Sequence, residues 1–316
     1  MRFPFRKSRS VLRFDRSLQG SSAARTILAA ALFIALGGLW FPLTDVSASE
    51  FPPPQSIDQA PTDSGPSSES SSVLIGSLGR AFAEDAKYVF TSPLRIDTKS
   101  ALILGGVAAA IGGLIVVDDD LQDFFQRNRN DFTRDISSGL DVFGSAPNVL
   151  FGNLGLIGAG WWFRESQGGD KLLRTALISL EAQAFTESIA GVTKFVVGRA
   201  RPTARQGDQT YDPFHGIDRS FPSSHSARAF AVATVFADRY EQPVPILAYT
   251  LAALIGISRN ELDRHWASDV FAGAALGFTM GKVLSWRHRH QDNRLTFLPS
   301  LPGVESSVGL VLQYSF

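Results

Sequence analysis

The sequence predicts an all-α protein, a multi-helix bundle that ends in a short C-terminal β-hairpin. Uncharged runs rich in glycine and alanine, which suit closely packed helices, occur at residues 100–117, 146–163 and 242–258. Alternation of apolar and other side chains indicates a strand, and it is confined to the end of the chain, at 308–316. The segment from Pro299 to Gly303 is predicted to turn that strand back onto residues 294–298.

The N-terminal region predicts export. Basic residues between Arg2 and Arg25 precede an apolar stretch at 26–43, and Val46-Ser47-Ala48 supplies small residues at the spacing that a signal peptidase accepts. Residues 1–48 are therefore predicted to be a signal peptide or a signal anchor. The protein is expected in the cell envelope, in a bacterial periplasm.

Three further regions follow along the chain. Residues 49–72 are rich in Pro, Ser, Gln and Asp, a composition that cannot bury a core, so they are expected to form a flexible linker. A helical domain is expected over 73–290 and the hairpin tail over 291–316. The uncharged runs are near the shortest length that crosses a bilayer, so two alternatives stay open: a bundle that rests on a membrane and an integral membrane protein.

Composition excludes several classes of function. Thirty basic and thirty acidic residues give a formal net charge of zero, so no global field favours nucleic acid. The chain has no cysteine, which removes disulfides and thiol catalysis. Several charged groups are interpreted as solvated surface and no metal site is predicted; these groups are Asp118-Asp119-Asp120, Arg199, Arg205, His288 and His290.

A histidine and a carboxylate stand four residues apart in the segment 258–282, which is predicted to be one helix. On such a helix His265 and Asp269 share a face. A hydrogen bond between one ring N–H and the accepting carboxylate would fix the imidazole tautomer and leave the other ring nitrogen as a nucleophile. Arg259 offers a planar fork of donors to an oxyanion. Taken alone, the pattern equally fits a surface ion pair beside an unrelated arginine.

Two other clusters supply an anion site and more positive charge. Ser223 or Ser224 is predicted to cap a helix over 227–240, whose free N–H groups and dipole favour an anion. His225 lies in its first turn, where it could protonate a leaving oxygen. Lys194 and Arg201 are seven residues apart, so two helical turns would bring them to one face. The alternative for the serine cluster is an ordinary capped helix with an incidental histidine.

In this order and at these spacings the three clusters resemble the type 2 phosphatidic acid phosphatase and vanadium haloperoxidase superfamily (PAP2). The chain reads K-x6-R-P, then P-S-S-H, then S-R-x5-H-x3-D, and the similarity covers roughly residues 100–285. One position departs from the family pattern, because Ser224 stands where the family usually has glycine. A serine keeps the backbone N–H that contacts the oxyanion, although its side chain restrains the turn.

The resemblance implies a helical bundle of the PAP2 type and a metal-independent phosphatase. It implies a phosphohistidine formed on His265, orientation of that histidine by Asp269, and His225 as the acid and later the base. The phosphate would be bound by Lys194, Arg201, Ser223, Ser224 and Arg259. The implied substrate is a lipid phosphate or a small phosphomonoester, with no cofactor. The alternatives are a haloperoxidase, for which vanadate would be the cofactor, and a non-enzymatic envelope module with the same fold.

Overall fold

The computed structural model describes residues 82–291 together with 295–300 and 309–314. The signal segment and the linker predicted over 1–72 lie outside the described residues. In chain order the helices are α1 (82–91), α2 (Thr98–Asn128), α3 (Asp131–Gly144), α4 (Ala146–Trp162), α5 (Gln167–Val197), α6 (Ser224–Arg239), α7 (Val244–Glu261) and α8 (Ala267–Gln291). Short 3₁₀ turns occupy Ser92–Arg95 and Pro202–Ala204. The prediction of a helical bundle is confirmed.

Helices α6 and α8 form the closest pair in the bundle, because glycines line their contact. A Cβ atom on Gly277 would lie 2.0 Å from the carbonyl oxygen of Ala227, and one on Gly273 would lie 2.3 Å from that of Ser223. Gly281 continues the same face one turn later. This stripe of glycine lets the two backbones touch. It thereby holds the start of α6 against the first turn of α8.

The main hydrophobic core lies between α1, α5, α6 and α8. Its buried members are Val89, Ile178, Ala182, Phe185, Ala231, Val235, Met280 and Leu284. A second buried cluster joins α6 to α7 through Phe230, Ala252 and Ile255. Helix α6 therefore has packed neighbours on several sides, which makes it a rigid support for the residues at its N-terminus.

Helix α2 has two different halves. Leu102 and Val116 are 72% and 81% exposed, and none of the residues in its most apolar 18-residue window is buried. The last part of the helix instead buries Asp118, Leu121 and Gln122 against the bundle. Among the described residues, α2 is long and apolar enough to cross a membrane, and α3 with α4 passes the same test across a bend of 58°.

The helix predicted over 258–282 is interrupted, so that prediction is wrong. Helix α7 ends at Glu261 and α8 begins at Ala267, with Asp263 between them in the left-handed region at φ 60°. The carboxylate of Asp269 accepts a hydrogen bond from the backbone N–H of Trp266 at 2.8 Å. A side-chain acceptor one turn into α8 thus caps its first turn, and His265 lies in the connecting turn.

The two strands of the C-terminal hairpin are present, and the first extends past the predicted start of the turn. Strands β1 (Leu295–Ser300) and β2 (Gly309–Tyr314) pair antiparallel, from Leu295 opposite Tyr314 to Ser300 opposite Gly309. Pro299 does not begin the turn, as the sequence suggested, but lies within β1 opposite Leu310. A proline is tolerated there because a two-stranded ribbon consists of edge strands.

Candidate active site

Lys194 and Arg201 do not share a helix face, because α5 ends between them. The helix stops at Val197, and Gly198 adopts a left-handed φ of 65°. A Cβ at Gly198 would lie 2.1 Å from the carbonyl oxygen of Asp212, so glycine is required both by conformation and by space. Arg201 then follows in extended backbone, which changes the direction of the chain towards the site.

Lys194 anchors the segment that leads into α6. Its buried ammonium donates to the carbonyl oxygens of Arg219 at 2.8 Å, Ser220 at 3.4 Å and Pro222 at 2.7 Å. Burial, and next the charge of Arg201, lower the pKa of Lys194 to about 8. The ammonium is therefore mainly charged at neutral pH, and its first task is to hold this backbone in place.

Arg201 remains partly accessible. One guanidinium nitrogen donates to Asp218 at 2.7 Å and another to the carbonyl oxygen of Arg264 at 3.3 Å. With Thr203 and Arg219, among others, it lines a cavity of about 280 Å³. Arg201 thus lies between open solvent and the turn that carries His265.

The start of α6 provides free backbone donors. Ser223 is the N-cap: its hydroxyl accepts from Ser226 N at 3.5 Å, and its own N–H donates to the carbonyl oxygen of Asp269 at 2.9 Å. The helix begins at Ser224, three residues before the predicted Ala227. Among the described residues the N–H groups of Ser224 and His225 donate to no backbone carbonyl. These N–H groups and the positive end of the helix dipole are suited to an anion.

The serine at position 224 fits this turn without strain. It adopts a helical conformation, and it is not among the residues with positive φ. The position therefore does not require the conformational freedom of glycine. The departure from the family pattern leaves the backbone N–H in place.

His225 and Arg259 meet at a carboxylate that the sequence did not single out. Asp141, near the end of α3, pairs with Arg259 and lies 3.0 Å from Nε2 of His225. The other ring nitrogen, Nδ1, is 3.4 Å from a guanidinium nitrogen of Arg228. Because that neighbour can only donate, the contact favours the Nε2–H tautomer. Burial, followed by the charges of Arg259 and Arg228, lowers the pKa of His225 to about 2.

Close packing at the end of α3 holds Asp141 in this position. A Cβ on Gly144 would lie 2.5 Å from the side chain of Ile255 and 3.0 Å from that of His225. The buried Arg228 donates to the carbonyl oxygen of Gly144 at 3.0 Å and pairs with Glu187. These contacts satisfy backbone acceptors at the helix C-terminus and lock α3 onto α6.

His265 is buried and neutral. Its Nδ1 atom lies 3.6 Å from the Asp269 carboxylate, and only 2% of the residue is exposed. Burial, and then the charges of Lys194, Arg201 and Arg259, hold the pKa of His265 well below its usual range. An unprotonated imidazole has a lone pair available for attack, and three cations near it can receive an anion.

Behind Asp269 lies a buried ionic network that the sequence analysis missed. Arg199 is fully buried and donates to Asp269 at 2.9 Å, Asp118 at 2.8 Å and Ser268 at 2.6 Å. Ser220 donates its hydroxyl to the same Asp269 carboxylate. The interpretation of Arg199 and Asp118 as solvated surface charges is therefore wrong. Desolvated charges need partners, and here a guanidinium between two carboxylates provides them.

His288 is also not a solvated helix end. Its Nε2 atom lies 2.8 Å from Glu181 and 3.3 Å from Asp85, and Arg287 pairs with Asp85 as well. These two carboxylates raise the pKa of His288 to about 9 against the effect of burial. The ligand atoms of Asp85, Glu181 and His288 lie within 4.8 Å of one another, a spacing that suits a metal ion. Two cationic side chains already balance the two carboxylates, so we interpret the cluster as a structural ion network.

Sequence comparisons with known proteins agree with the motif. Residues 175–292 match the family model described as PAP2 superfamily. The chain is 34% identical to the lipid A 1-phosphatase of Porphyromonas gingivalis over 140 residues, which are 43% of this chain and 28% of that protein. It is 29% identical to the phosphatidylglycerophosphatase B of Bacillus subtilis over 164 residues, 48% of this chain and 73% of that protein. The crystal structure of a transmembrane PAP2 type phosphatidylglycerolphosphate phosphatase from Bacillus subtilis aligns with a TM-score of 0.46 and 21% identity, over 60% of this chain and 94% of that one. The chain thus spans little more than a quarter of the Porphyromonas relative.

Proposed function

We propose that this chain, which belongs to the PAP2 superfamily through residues 175–292, is a membrane-associated phosphatase that removes phosphate from a lipid. One observation carries the proposal. The neutral His265 lies near three cationic side chains and beside Asp269, with the N-terminus of α6 packed against the same turn. Such an arrangement suits nucleophilic attack on a phosphate ester, because the charges that bind the phosphoryl oxygens also stabilise the transition state.

The proposed reaction has two displacements at phosphorus. With Nδ1 of His265 directed at Asp269, Nε2 is the nucleophile: the N–P bond forms and the bond to the ester oxygen breaks. His225, which takes up a second proton when the phosphate binds, gives that oxygen its Nε2 proton and becomes neutral. The neutral His225 then accepts a proton from water, whose oxygen attacks phosphorus and releases inorganic phosphate from His265. The sum is ester plus water giving alcohol plus phosphate. Lys194, Arg201 and Arg259 hold the phosphoryl oxygens throughout.

Substrate binding must change the protonation of His225. With a pKa of about 2, set by burial and then by Arg259 and Arg228, the imidazole carries one proton and is not a cation in the empty site. A phosphate dianion that takes the place of the Asp141 carboxylate would offset the neighbouring guanidinium charges. It would raise the pKa of His225 and accept the Nε2–H that now faces Asp141. Binding and acid catalysis are thus coupled through the same residues.

Apolar surface beside the site favours a lipid over a soluble phosphate ester. Phe195 follows Lys194 in the chain, and its ring packs edge-on against Phe214, with centroids 5.6 Å apart. Phe214 is 62% exposed and Ile217 is 68% exposed, next to the Asp218 that pairs with Arg201. Large apolar side chains in solvent mark contact surfaces, and here they border the phosphate-binding arginine. Together with α2 they support a membrane-associated role and a substrate with acyl chains.

The test compares phosphate release from phosphatidic acid in detergent micelles with release from glycerol phosphate. We expect the lipid to be the better substrate. We expect His265→Ala to abolish turnover and His225→Ala to lower it by about 10²–10⁴-fold, the usual contribution of an acid–base group. The matched control is His215→Ala, because that histidine lies on the exposed loop beyond Arg201. Turnover that survives both active-site changes would contradict the proposal, and export is checked separately by fractionating cells that express the full chain.

A further inference from the structure

Three polar side chains form a stripe along the last part of α2. Asp118, Gln122 and Gln126 are spaced four residues apart, so they lie one helical turn after another on the same face. Asp118 is fully buried, Gln122 is 7% exposed and Gln126 is half-buried. Buried polar groups need hydrogen-bond partners. The members of this polar stripe find theirs on the two sides of a single turn of the chain, the one that carries His265.

Two members of the polar stripe hold the end of α7. Gln122 donates its amide N–H to the carboxylate of Asp263 at 2.6 Å, and Gln126 donates to the carbonyl oxygen of Glu261 at 3.3 Å. Both amides also donate to the carbonyl oxygen of Asn260, at 3.3 Å and 3.2 Å. The last carbonyl groups of a helix lack partners within it, so these contacts fix the end of α7 against α2.

The third member holds the start of α8, on the other side of His265. The carboxylate of Asp118 accepts from the backbone N–H of Ser268 at 2.9 Å and also from the hydroxyl of that serine. Between these two points, the side chain of Asn260 donates to the carbonyl oxygen of His265 at 2.9 Å. The turn that carries the nucleophile is therefore hydrogen-bonded to α2 both before and after His265.

The position of the His265 ring depends on this turn, because the neighbouring carboxylate does not fix the ring closely. Its Nδ1 atom is 3.6 Å from Asp269, which is longer than a hydrogen bond. The turn also contains Asp263 at a positive φ of 60°, a conformation that residues other than glycine seldom adopt. The hydrogen bond from Gln122 stabilises it here. A reacting group that is misplaced by about 1 Å can lose about 10²-fold in rate, so the contacts of the turn matter for catalysis.

We propose that Gln122 and Gln126 are positioning residues, which hold the turn so that the His265 imidazole reaches the phosphorus atom. The inference rests on the proposed phosphatase function and adds to it two residues outside the phosphate-binding motif. Neither of them lines the cavity beside Arg201, so they act through the turn and not on the substrate. The helix that is long and apolar enough to cross a membrane is thus the one that positions the nucleophile.

The first experiment separates kcat from KM for phosphatidic acid in mixed micelles. We expect Gln122→Leu to lower kcat about 10- to 100-fold and to leave KM within about twofold, because a change that affects only the chemical step lowers kcat and kcat/KM equally. Gln126→Leu should have a smaller effect, since its acceptors are neutral carbonyl groups. The matched control is Gln183→Leu. That buried glutamine of α5 accepts from Asn153 of α4 at 3.0 Å, and its loss should leave kcat within about twofold.

An exchange of donor and acceptor distinguishes positioning from general destabilisation, and it applies even if Gln122→Leu does not fold. Gln122→Glu places a carboxylate against that of Asp263 and should lower kcat. Adding Asp263→Asn restores a hydrogen bond between the two side chains, and asparagine tolerates a positive φ. We expect kcat to recover about tenfold, the value of one charge-assisted hydrogen bond. A double variant no faster than Gln122→Glu would overturn the proposal, as would equal losses of kcat in Gln122→Leu and Gln183→Leu.

Hydrogen exchange of the full chain in micelles tests the turn without turnover. The N–H groups of Arg264 and His265 donate to the carbonyl oxygen of Arg259 at 3.0 Å and 3.2 Å, so they are protected while the turn keeps its form. Gln122→Leu should speed exchange at 262–266 about tenfold, and the control variant should not. Equal exchange in both variants would overturn the proposal. If the wild type hydrolyses no phosphate ester, the proposed function fails, whereas faster exchange in Gln122→Leu still supports the hold of α2 on this turn.

Discussion

Replacement of Arg199 by methionine should destabilise the protein far more than the same replacement of Arg205. The Arg199 guanidinium is fully buried between Asp118 and Asp269, so its removal leaves two desolvated carboxylates without a counter-charge. Breaking a buried pair from one side costs about 3–5 kcal/mol, and with two carboxylates affected we expect a loss of about 5 kcal/mol. The Arg205 side chain is 75% exposed in its pair with Asp263, and such a pair contributes about 1 kcal/mol or less.

The assay is denaturant unfolding of the full chain in detergent, followed by tryptophan fluorescence. Trp266 lies 5.4 Å from the Arg199 guanidinium, so its emission reports on this region. The compared quantity is the loss in free energy of unfolding for each variant. If the loss for Arg199→Met exceeds the loss for Arg205→Met by less than about 1 kcal/mol, the network does not stabilise the fold as argued. The double variant Arg199→Met with Asp118→Asn should recover part of the loss, because one uncompensated charge is gone. Strictly additive effects would contradict the proposed coupling.

Three further predictions concern other parts of the molecule. Asp141→Asn should tighten inhibition by orthovanadate about two- to fivefold, because a half-exposed carboxylate that competes with the anion is worth about 0.5–1 kcal/mol; unchanged inhibition would mean that Asp141 does not occupy the anion position. The pKa of His288 is raised to about 9, whereas the pKa of histidine in the unfolded chain is about 6.5. The protonated His288 therefore contributes at most about 3 kcal/mol to the free energy of unfolding. This contribution is complete below pH 6.5 and is lost as the pH rises through 9. As the pH rises across that range, the melting temperature should fall for the wild type and for His215→Gln. It should change less for His288→Gln. Gly277→Ala should lower stability by about 1–3 kcal/mol because its Cβ would overlap backbone, whereas Gly105→Ala, with nothing within 4 Å, should not lower stability.

Local sequence pattern was sufficient for the parts of the site that depend on neighbouring residues. Ser223 is one of the two serines predicted as the N-cap, and the free N–H groups follow from the helix start alone. Lys194, Arg259 and His265 occupy three separate segments, and it is the resemblance to the family motif, in order and spacing, that associated them. The roles assigned to these residues stay predictions, which the kinetic comparison of variants is designed to test.

Partners that are distant in the chain could not be found in this way. Arg199 and Asp118 are 81 positions apart, and no local spacing distinguishes them from solvated charges. Asp141 contacts an arginine 118 positions away and lies in an ordinary amphipathic helix. The break before Ala267 was missed for a related reason. The residues at 262–266 include neither glycine nor proline, and the new helix is started by the side chain of Asp269, which caps the first turn of α8.

The two halves of α2 differ in a way that bears on the proposed lipid substrate. The helix has 31 residues, or about 46 Å at 1.5 Å per residue, whereas the hydrocarbon core needs only about 20 residues. A span that starts near Thr98 therefore ends near Asp118, and Asp118 accepts from Arg199 and from the backbone N–H of Ser268. If α2 crosses the bilayer, the network behind Asp269 lies at the level of the lipid headgroups. That is the depth at which the phosphate of a lipid substrate is found, so a membrane position and the geometry of the site lead to the same class of substrate.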